Sequence, residues 1–191
     1  MSMQPTRQQA LALFEEYNQS ESLKKHALAV EAVMRHYAEL LGEDGEKWGV
    51  IGLLHDLDYE KYPDQHCAMS GQILRERGID EDYIHAVVSH GWGLCSDVEP
   101  QHVMEKVLYA TDELTGLITA AVLMRPSKSV LDLTPSSVRK KFKSSGFAAG
   151  VNRELIQKGA GMLDTTVDEL ITQCILAMQK QADALGLRGS L

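Results

Sequence analysis

The sequence is poor in aromatic residues and cysteines, and it lacks long apolar runs. Phe, Trp and Tyr make up 6 % of the 191 residues, so a core must be built mainly from aliphatic side chains. The three cysteines lie far apart and form no CxxC pair, which argues against a disulfide framework or a zinc knuckle. No stretch approaches the ~18 apolar residues of a membrane span, and the polar N-terminus shows no apolar signal segment. We therefore expect a cytoplasmic protein that does not act at a membrane.

Positive charge is also scarce, because 19 Lys and Arg residues face 27 Asp and Glu residues, for a formal net charge of −8. Proteins that bind nucleic-acid polymers usually present a basic surface, so we expect no such partner. A small phosphorylated substrate stays compatible, because a metal ion or a local basic patch can neutralise its charge. One basic segment, residues 139–143, is either a phosphate-binding patch or a solvated helix surface.

Apolar residues recur at three- and four-residue steps along nearly the whole chain, which is typical of amphipathic helices. Ser20 or Ser22 can cap the second helix, and Gly42 can end it. The pattern predicts an all-α protein with a single domain over residues 1–191, whose last part, at about 126–191, is a C-terminal helical extension. The predicted helices cover about 11–17, 23–41, 47–57, 63–77, 80–90, 101–124, a short stretch after Pro135, 147–158 and 166–185.

The dipeptide His55-Asp56 follows the apolar helical run VIGLL. By itself the pair is a weak signal, since chance supplies such dipeptides easily. Its position is more informative, because an imidazole and a carboxylate at the end of a buried helix need a partner. A divalent metal ion would satisfy both groups at once.

Two other polar residues interrupt the apolar surfaces of other helices. His26 is in register with Val30 and Val33, and Asp112 lies within the apolar segment YATDELTGLITAAVLM. Aspartate is rarely buried without a partner. Taken singly, His26 can be a core histidine bonded to a carbonyl, and Asp112 can belong to a buried salt bridge or a helix cap.

Taken together, the order His, His-Asp, Asp on separate helices resembles the HD superfamily of metal-dependent phosphohydrolases. The closer resemblance is to small bacterial HDIG-type proteins, and it rests on LKKHALAVEAVM, IGLLHDLDYEKYPDQH, VVSHGWG and LYATDELTGLI, with further likeness in RPSKSVLDL and SVRKKFK. Leu57-Asp58 departs from the Ile-Gly of HDIG, in the turn after the helix. The resemblance covers about residues 20–125. It implies that this part is the metal-binding core of a compact helical bundle, which holds a metal through His26, His55, Asp56 and Asp112.

The resemblance also implies a place for a second metal. In binuclear members of the superfamily, two histidines between the HD pair and the last aspartate hold it, and the HD aspartate bridges. Here those histidines would be His66 and His90. Alternatively, His66 is a surface residue near a helix start, and His90 is a helix C-terminal residue favoured by the dipole. The implied cofactor is one or two divalent ions of Fe, Mn, Ni, Co, Zn or Mg.

The reaction implied is hydrolysis of a small phosphoester, a nucleotide or phosphomonoester, by a metal-activated water. Besides Asp56, the candidate catalytic or substrate-binding residues are Lys61, which follows the HD pair closely, and Arg125, which leaves the helix that carries Asp112. The sequence does not decide which nearby carboxylate is the general base: Asp58, Glu60 or Glu113.

Two rival functions stay open at this point. The same six ligands would suit a di-iron oxygenase, and a non-catalytic module could use the site to bind a metal or nucleotide. A homodimer formed through the C-terminal helices is also compatible with the sequence. Among the remaining residues, Cys67 and Cys95 are interpreted as small apolar filler or soft ligands. The remaining histidines are interpreted as solvated or structural: His36, His85 and His102.

Overall fold

The computed structural model describes residues 2–190, which form α-helices joined by turns. This described part contains no β-strand, only the isolated bridges Met3–Ile79 and Trp92–Ser96. The predicted all-α class is therefore confirmed. The helices are α1 (Arg7–Tyr17), α2 (Glu21–Leu41), α3 (Gly45–Leu54), α4 (Ala68–Glu76), α5 (Glu81–Ser89), α6 (Val103–Leu123), α7 (Pro135–Lys143), α8 (Arg153–Met162) and α9 (Val167–Lys180), with a 3-10 turn at Pro63–Gln65.

The two longest helices, α2 and α6, begin at side-chain caps that satisfy free backbone N–H groups. The Ser20 hydroxyl accepts a hydrogen bond from the backbone N–H of Leu23. At α6, the His102 imidazole is the cap and the Glu105 carboxylate completes a capping box. Helix α2 ends at Gly42, whose φ of 70° is readily adopted only by glycine. Local sequence thus sets both ends of α2.

The helix predicted over 63–77 is wrong in its first part. Pro63–Gln65 forms a single 3-10 turn, and α4 begins only at Ala68. Between them, Cys67 has φ 67° and ψ −45°, a conformation that side-chain-bearing residues rarely adopt. This backbone interrupts the helix and leaves His66 just before the break.

The helix predicted over 147–158 begins later, at Arg153, because that residue holds the preceding chain in a loop. Its guanidinium donates to the backbone carbonyls of Phe142 at 2.7 Å and Ser144 at 3.0 Å. These bonds occupy carbonyl groups at the end of α7, where no helical partner is available. The last helix likewise ends early, at Lys180.

Two apolar clusters are built on α2 and α6. The first joins α1, α3, α4 and α5 to α2 and the start of α6, with Trp48, Ile51 and Leu108 fully buried. The second packs α7, α8 and α9 on the rest of α6 and on Ala29 and Val33 of α2. The C-terminal helices therefore cover the bundle. None of the helices described between residues 2 and 190 has the length and apolar character needed to cross a bilayer.

Candidate metal centre

The structure brings the six predicted metal ligands together in one place. They come from α2, the turn after α3, the break before α4, the end of α5 and the middle of α6. Five of them line a cavity of about 460 Å³, and His55 is fully buried beside it. The ligands that line the cavity are His26, Asp56, His66, His90 and Asp112.

Asp56 lies between two sets of imidazoles. Its Oδ2 is 3.2 Å from His55 Nε2 and 3.7 Å from His26 Nε2. Its Oδ1 is 3.4 Å from His66 Nε2 and 3.6 Å from His90 Nε2. Each carboxylate oxygen thus faces a different pair of ring nitrogens.

Asp112 lies with His26 and His55 on the side of the Asp56 Oδ2 atom. Its Oδ1 lies 2.8 Å from His26 Nε2 and 3.3 Å from His55 Nε2, and the two Nε2 atoms are 3.3 Å apart. We call these three residues the first ligand group. The second ligand group, His66 and His90, has its Nε2 atoms 3.2 Å apart.

These spacings fit divalent metal coordination. Ligand atoms bound at about 2.1 Å lie roughly 3.0 Å apart around an octahedral ion and roughly 3.4 Å apart around a tetrahedral one. The distances within the two groups fall in or next to that range. Imidazole nitrogens and carboxylate oxygens also suit Zn, Fe, Ni and Mn. The donor set can therefore hold one or two metal ions.

Two of the imidazoles are oriented by bonds from their other ring nitrogen. His55 Nδ1 donates to the carbonyl of Gly52 at 2.7 Å, and His90 Nδ1 donates to the carbonyl of Val87. With the proton on Nδ1, each Nε2 presents its lone pair to the cluster, as metal ligation requires. Both rings are thus preset for binding by the last turn of their own helices.

His66 is oriented by Asp58, which is buried in the turn after the HD pair. Asp58 Oδ1 lies 2.7 Å from His66 Nδ1, and Asp58 Oδ2 accepts the backbone N–H of Ser70 at 2.8 Å. Both carboxylate oxygens are occupied, so Asp58 orients a candidate ligand and is poorly placed to act as a base. Sequence reasoning missed this role, although the departure from HDIG at this position was a signal that could have revealed it.

Charged groups within the cluster shift the pKa values of their neighbours. Burial opposes the charge on His55, yet the Asp56 and Asp112 carboxylates raise its pKa well above the usual value. Although burial also opposes the charge of these carboxylates, His55 holds the pKa of both far below the usual range. For His66, burial is outweighed by the bond to Asp58, and its pKa is raised. A metal that binds here must displace protons from imidazole rings.

The structure does not bring Lys61 and Arg125 to the cluster. Lys61 Nζ donates to the backbone carbonyl of Glu16 at 2.8 Å, and Arg125 Nη2 pairs with Asp132 Oδ2 at 2.8 Å. Arg125 lies beyond the end of α6, and the part of that helix between Asp112 and Leu123 alone spans about 16 Å. Their predicted roles in catalysis stay predictions.

Of the other two candidate bases, only Glu113 lines the cavity. Its Oε2 accepts the backbone N–H of Asn152 at 3.1 Å, and burial, together with the nearby Asp112, raises its pKa. Glu60, by contrast, is exposed and accepts backbone N–H groups from Gln19 and Ser20 at the start of α2. The geometry therefore favours Glu113 as the carboxylate available for proton transfer.

The three remaining histidines make contacts outside the cluster, in keeping with a structural role. His36 Nε2 bonds Gln173 Oε1 at 2.7 Å and so connects α2 to α9. His85 Nδ1 bonds Glu105 Oε1 at 2.7 Å, and His102 caps α6.

Two side chains of the basic segment 139–143 contact other parts of the protein. Arg139 pairs with Asp168 of α9, and Lys141 Nζ lies 4.7 Å from the ring centre of Phe147. None of the segment's residues lines the metal cavity. Binding of phosphate by this segment stays a prediction.

The family model of the HD domain matches residues 23–117. This span contains all six candidate ligands, including Asp56, which lies between the two ligand groups. The chain is a member of the HD-domain family. HD domains are typically metal-dependent phosphohydrolases, so the predicted superfamily is confirmed, while the HDIG subtype stays a prediction.

The curated relatives of this HD domain include ribonucleases Y from two bacteria. Ribonuclease Y of Nitratidesulfovibrio vulgaris (strain DP4) is 30 % identical over 101 residues, which cover 51 % of this chain and 18 % of that protein. Ribonuclease Y of Oleidesulfovibrio alaskensis is 25 % identical over 142 residues, which cover 71 % of this chain and 27 % of that protein. The chain thus spans less than a third of the curated relatives that it matches. No solved structure matched the chain significantly.

Proposed function

We propose that this HD domain hydrolyses a small phosphoester, such as a nucleotide or another phosphomonoester, with one or two divalent metal ions at the histidine–aspartate cluster. The observation that carries the proposal is the position of Asp56, whose two oxygens face separate imidazole pairs. A carboxylate in this position is suited to bridge two ions. Bound divalent metal would supply Lewis-acid chemistry, which lowers the pKa of a coordinated water toward ~7.

The residues of the chain would hold the reacting groups. His26, His55 and Asp112 would bind one ion, and His66 and His90 would bind the other, with Asp56 shared between them. Glu113 lines the same cavity and can accept the proton of the attacking water or return one to the leaving oxygen. A volume of about 460 Å³ falls within the range of cavities that bind small molecules.

The names of the curated relatives make an RNA phosphodiester the first alternative substrate. A net charge of −8 opposes binding to a polyanion, because nucleic-acid affinity comes largely from Lys and Arg contacts to phosphates. We therefore propose a small phosphorylated molecule as the partner, and neither a nucleic-acid polymer nor a membrane. A homodimer also stays a prediction.

A di-iron oxygenase is the second candidate, because the same six ligands would suit two iron ions. It differs from a hydrolase in a measurable way, since it consumes dioxygen and releases no phosphate from a simple ester. The choice between the two therefore depends on metal identity and on oxygen uptake.

The test begins with protein stripped by a chelator and reloaded separately with Mg, Mn, Co, Ni, Zn or Fe(II). Phosphate release is measured from p-nitrophenyl phosphate and a panel of nucleotides, diester cleavage from bis-p-nitrophenyl phosphate and a short RNA, and oxygen uptake from an electrode. We expect phosphate release that requires added metal. Oxygen uptake with iron and no phosphate release would favour the oxygenase, and cleavage of RNA alone would overturn the small-substrate proposal.

Metal content is measured on the same samples by elemental analysis. We expect about two ions per chain in the parent protein and about one in a His66→Ala, His90→Ala double variant. The matched control is His85→Ala, since His85 bonds Glu105 outside the cluster. Equal metal content in the parent and the double variant would remove the second ligand group from the metal site.

A further inference from the structure

Cys67 is buried next to the metal cavity and Cys95 lines it, and the two lie side by side although they are 28 positions apart in the chain. The sulfur atoms of Cys67 and Cys95 are 3.1 Å apart, and both thiols are free. A disulfide requires about 2.05 Å, so the two sulfurs need to approach by only about 1 Å to become bonded. The interpretation of these residues as separate apolar filler does not account for this pairing.

The backbone around the two thiols is shaped to bring them together. A Cβ atom at Gly91 would overlap both sulfur atoms, so only glycine leaves room for the pair at that position. Cys67 itself adopts φ 67° at the break before α4, an unfavourable conformation for a residue with a side chain. Two independent features of the fold thus accommodate the contact between the sulfurs.

The two thiols differ in access. Cys67 is fully buried, whereas Cys95 is exposed and lines the mouth of the metal cavity. Cys95 belongs to a short turn in which the backbone N–H groups of residues 94–96 all donate to the carbonyl of Gly91. The backbone N–H of Gly93 also donates to the carbonyl of Ser96 at 2.9 Å, so the turn that holds Cys95 beside Cys67 is closed by its own backbone hydrogen bonds. The exposed thiol can meet a reagent first, and the buried one can then resolve the product.

We propose that Cys67 and Cys95 form a dithiol modification site that a low-molecular-weight disulfide, such as oxidised glutathione, converts to an intramolecular disulfide. The Cys95 thiolate attacks one sulfur of the reagent, and the S–S bond of the reagent breaks to release one reduced thiol. Cys67 then loses its proton and attacks the sulfur of Cys95, so the mixed disulfide breaks and a second reduced thiol leaves. The protein dithiol is oxidised, and the reagent is reduced to two thiols.

The position of this site connects it to the metal centre. Cys67 directly follows His66, and the turn that carries Cys95 begins at Gly91, directly after His90. The disulfide would therefore fasten together the two segments that carry the second ligand group. This inference does not rest on the proposed hydrolysis, because the thiol chemistry is measured directly on the protein.

The test uses the metal-loaded full chain in glutathione buffers of increasing oxidised-to-reduced ratio, quenched by alkylation and analysed by mass spectrometry. We expect alkylatable thiols to fall from three to one per chain, with loss of two hydrogens and no attached glutathione. Added reductant should restore all three thiols. Three thiols that persist across all ratios, or glutathione retained on Cys95 of the parent protein, would overturn the proposal.

Single-cysteine variants separate this site from the alternatives. Cys174→Ser removes a buried thiol in α9 that has no sulfur neighbour in the described structure, so it should still form the disulfide. Cys67→Ser should instead retain one glutathione on Cys95, since the resolving thiol is gone. If Cys67→Ser and Cys95→Ser both lose metal while the loaded parent resists oxidation, the sulfurs are metal ligands and the proposal fails.

Discussion

His66 Nδ1 donates to Asp58 Oδ1 at 2.7 Å, while Nε2 of the same ring points at Asp56 Oδ1 from 3.4 Å. One aspartate therefore orients the imidazole, and another lies where a shared metal ion would be bound. Asp58 is itself fixed by the backbone N–H of Ser70 at the start of α4. Supporting carboxylates of this kind set the tautomer of a ligating histidine and raise its basicity.

Asp58→Asn should weaken binding of the second metal by about 10- to 100-fold, because the amide supports the His66 ring less strongly than a carboxylate. The first ligand group does not contact Asp58, so one ion should still bind as in the parent protein. Calorimetric titration of stripped protein measures both affinities. Glu60→Gln is the control, as Glu60 bonds the start of α2. Two ions bound with unchanged affinity would show that Asp58 does not support the site.

The stability of the metal-free protein should depend on pH in a defined direction. Despite burial, the carboxylates of Asp56 and Asp112 raise the pKa of His55. Its contribution to stability is complete below about pH 6.5, the unfolded value, and is lost as pH rises through the higher folded value. The depressed pKa values of Asp56 and Asp112 act oppositely, and their contribution is lost below about pH 4. The melting temperature should therefore be highest between about pH 4 and 6.5.

Above about pH 6.5, bound metal should reverse the fall in melting temperature, because deprotonated imidazole is the form that binds metal. The stabilisation by a fixed concentration of Mn or Zn should grow as pH rises and follow the metal affinity. Thermal melts of chelated and metal-loaded samples at matched pH values measure both effects. A melting temperature of chelated protein that stays flat above pH 6.5 would argue against the ion pairs around His55.

Glu113→Gln should lower kcat while the metal content stays at the level of the parent protein. Glu113 lines the cavity beside Asp112 but belongs to neither ligand group, and loss of a positioned acid or base typically costs about 10²- to 10⁴-fold. Steady-state kinetics and elemental analysis on the same preparation separate the two effects. Glu154→Gln, on the neighbouring helix α8, is the matched control. An unchanged kcat would remove Glu113 from the mechanism.

Gly159→Ala should destabilise the fold by about 1–3 kcal/mol, since an added Cβ would lie 2.5 Å from Ala110 Cα where α8 crosses α6. The control is Gly161→Ala on the same helix, where an added Cβ meets nothing within 4 Å. That variant should be neutral or gain a few tenths of a kcal/mol from helix propensity. Urea unfolding of both variants tests whether the C-terminal helices are part of the cooperative unit, and equal stability would contradict it.

The sequence by itself determined the fold class and identified the candidate ligands. Helical periodicity is a local property, because residues three and four apart share a face whatever the chain does elsewhere. The HD pattern likewise depends on residue types and their order. For this reason His26, His55, Asp56 and Asp112 could be named without distances, and the resemblance added His66 and His90.

Only the tertiary structure decided the matters that depend on distances through space. In the sequence, Asp58 is one of three equally placed candidates for the general base. In the structure, the break at Cys67 places His66 against Asp58, which identifies Asp58 as a supporting residue. Lys61 and Arg125 are near the ligands in the sequence, yet packing directs them to Glu16 and Asp132. The contact between Cys67 and Cys95 depends on the path of the chain between them, which no local pattern records. Periodicity reports which face of a helix is buried, and packing alone determines what that face meets.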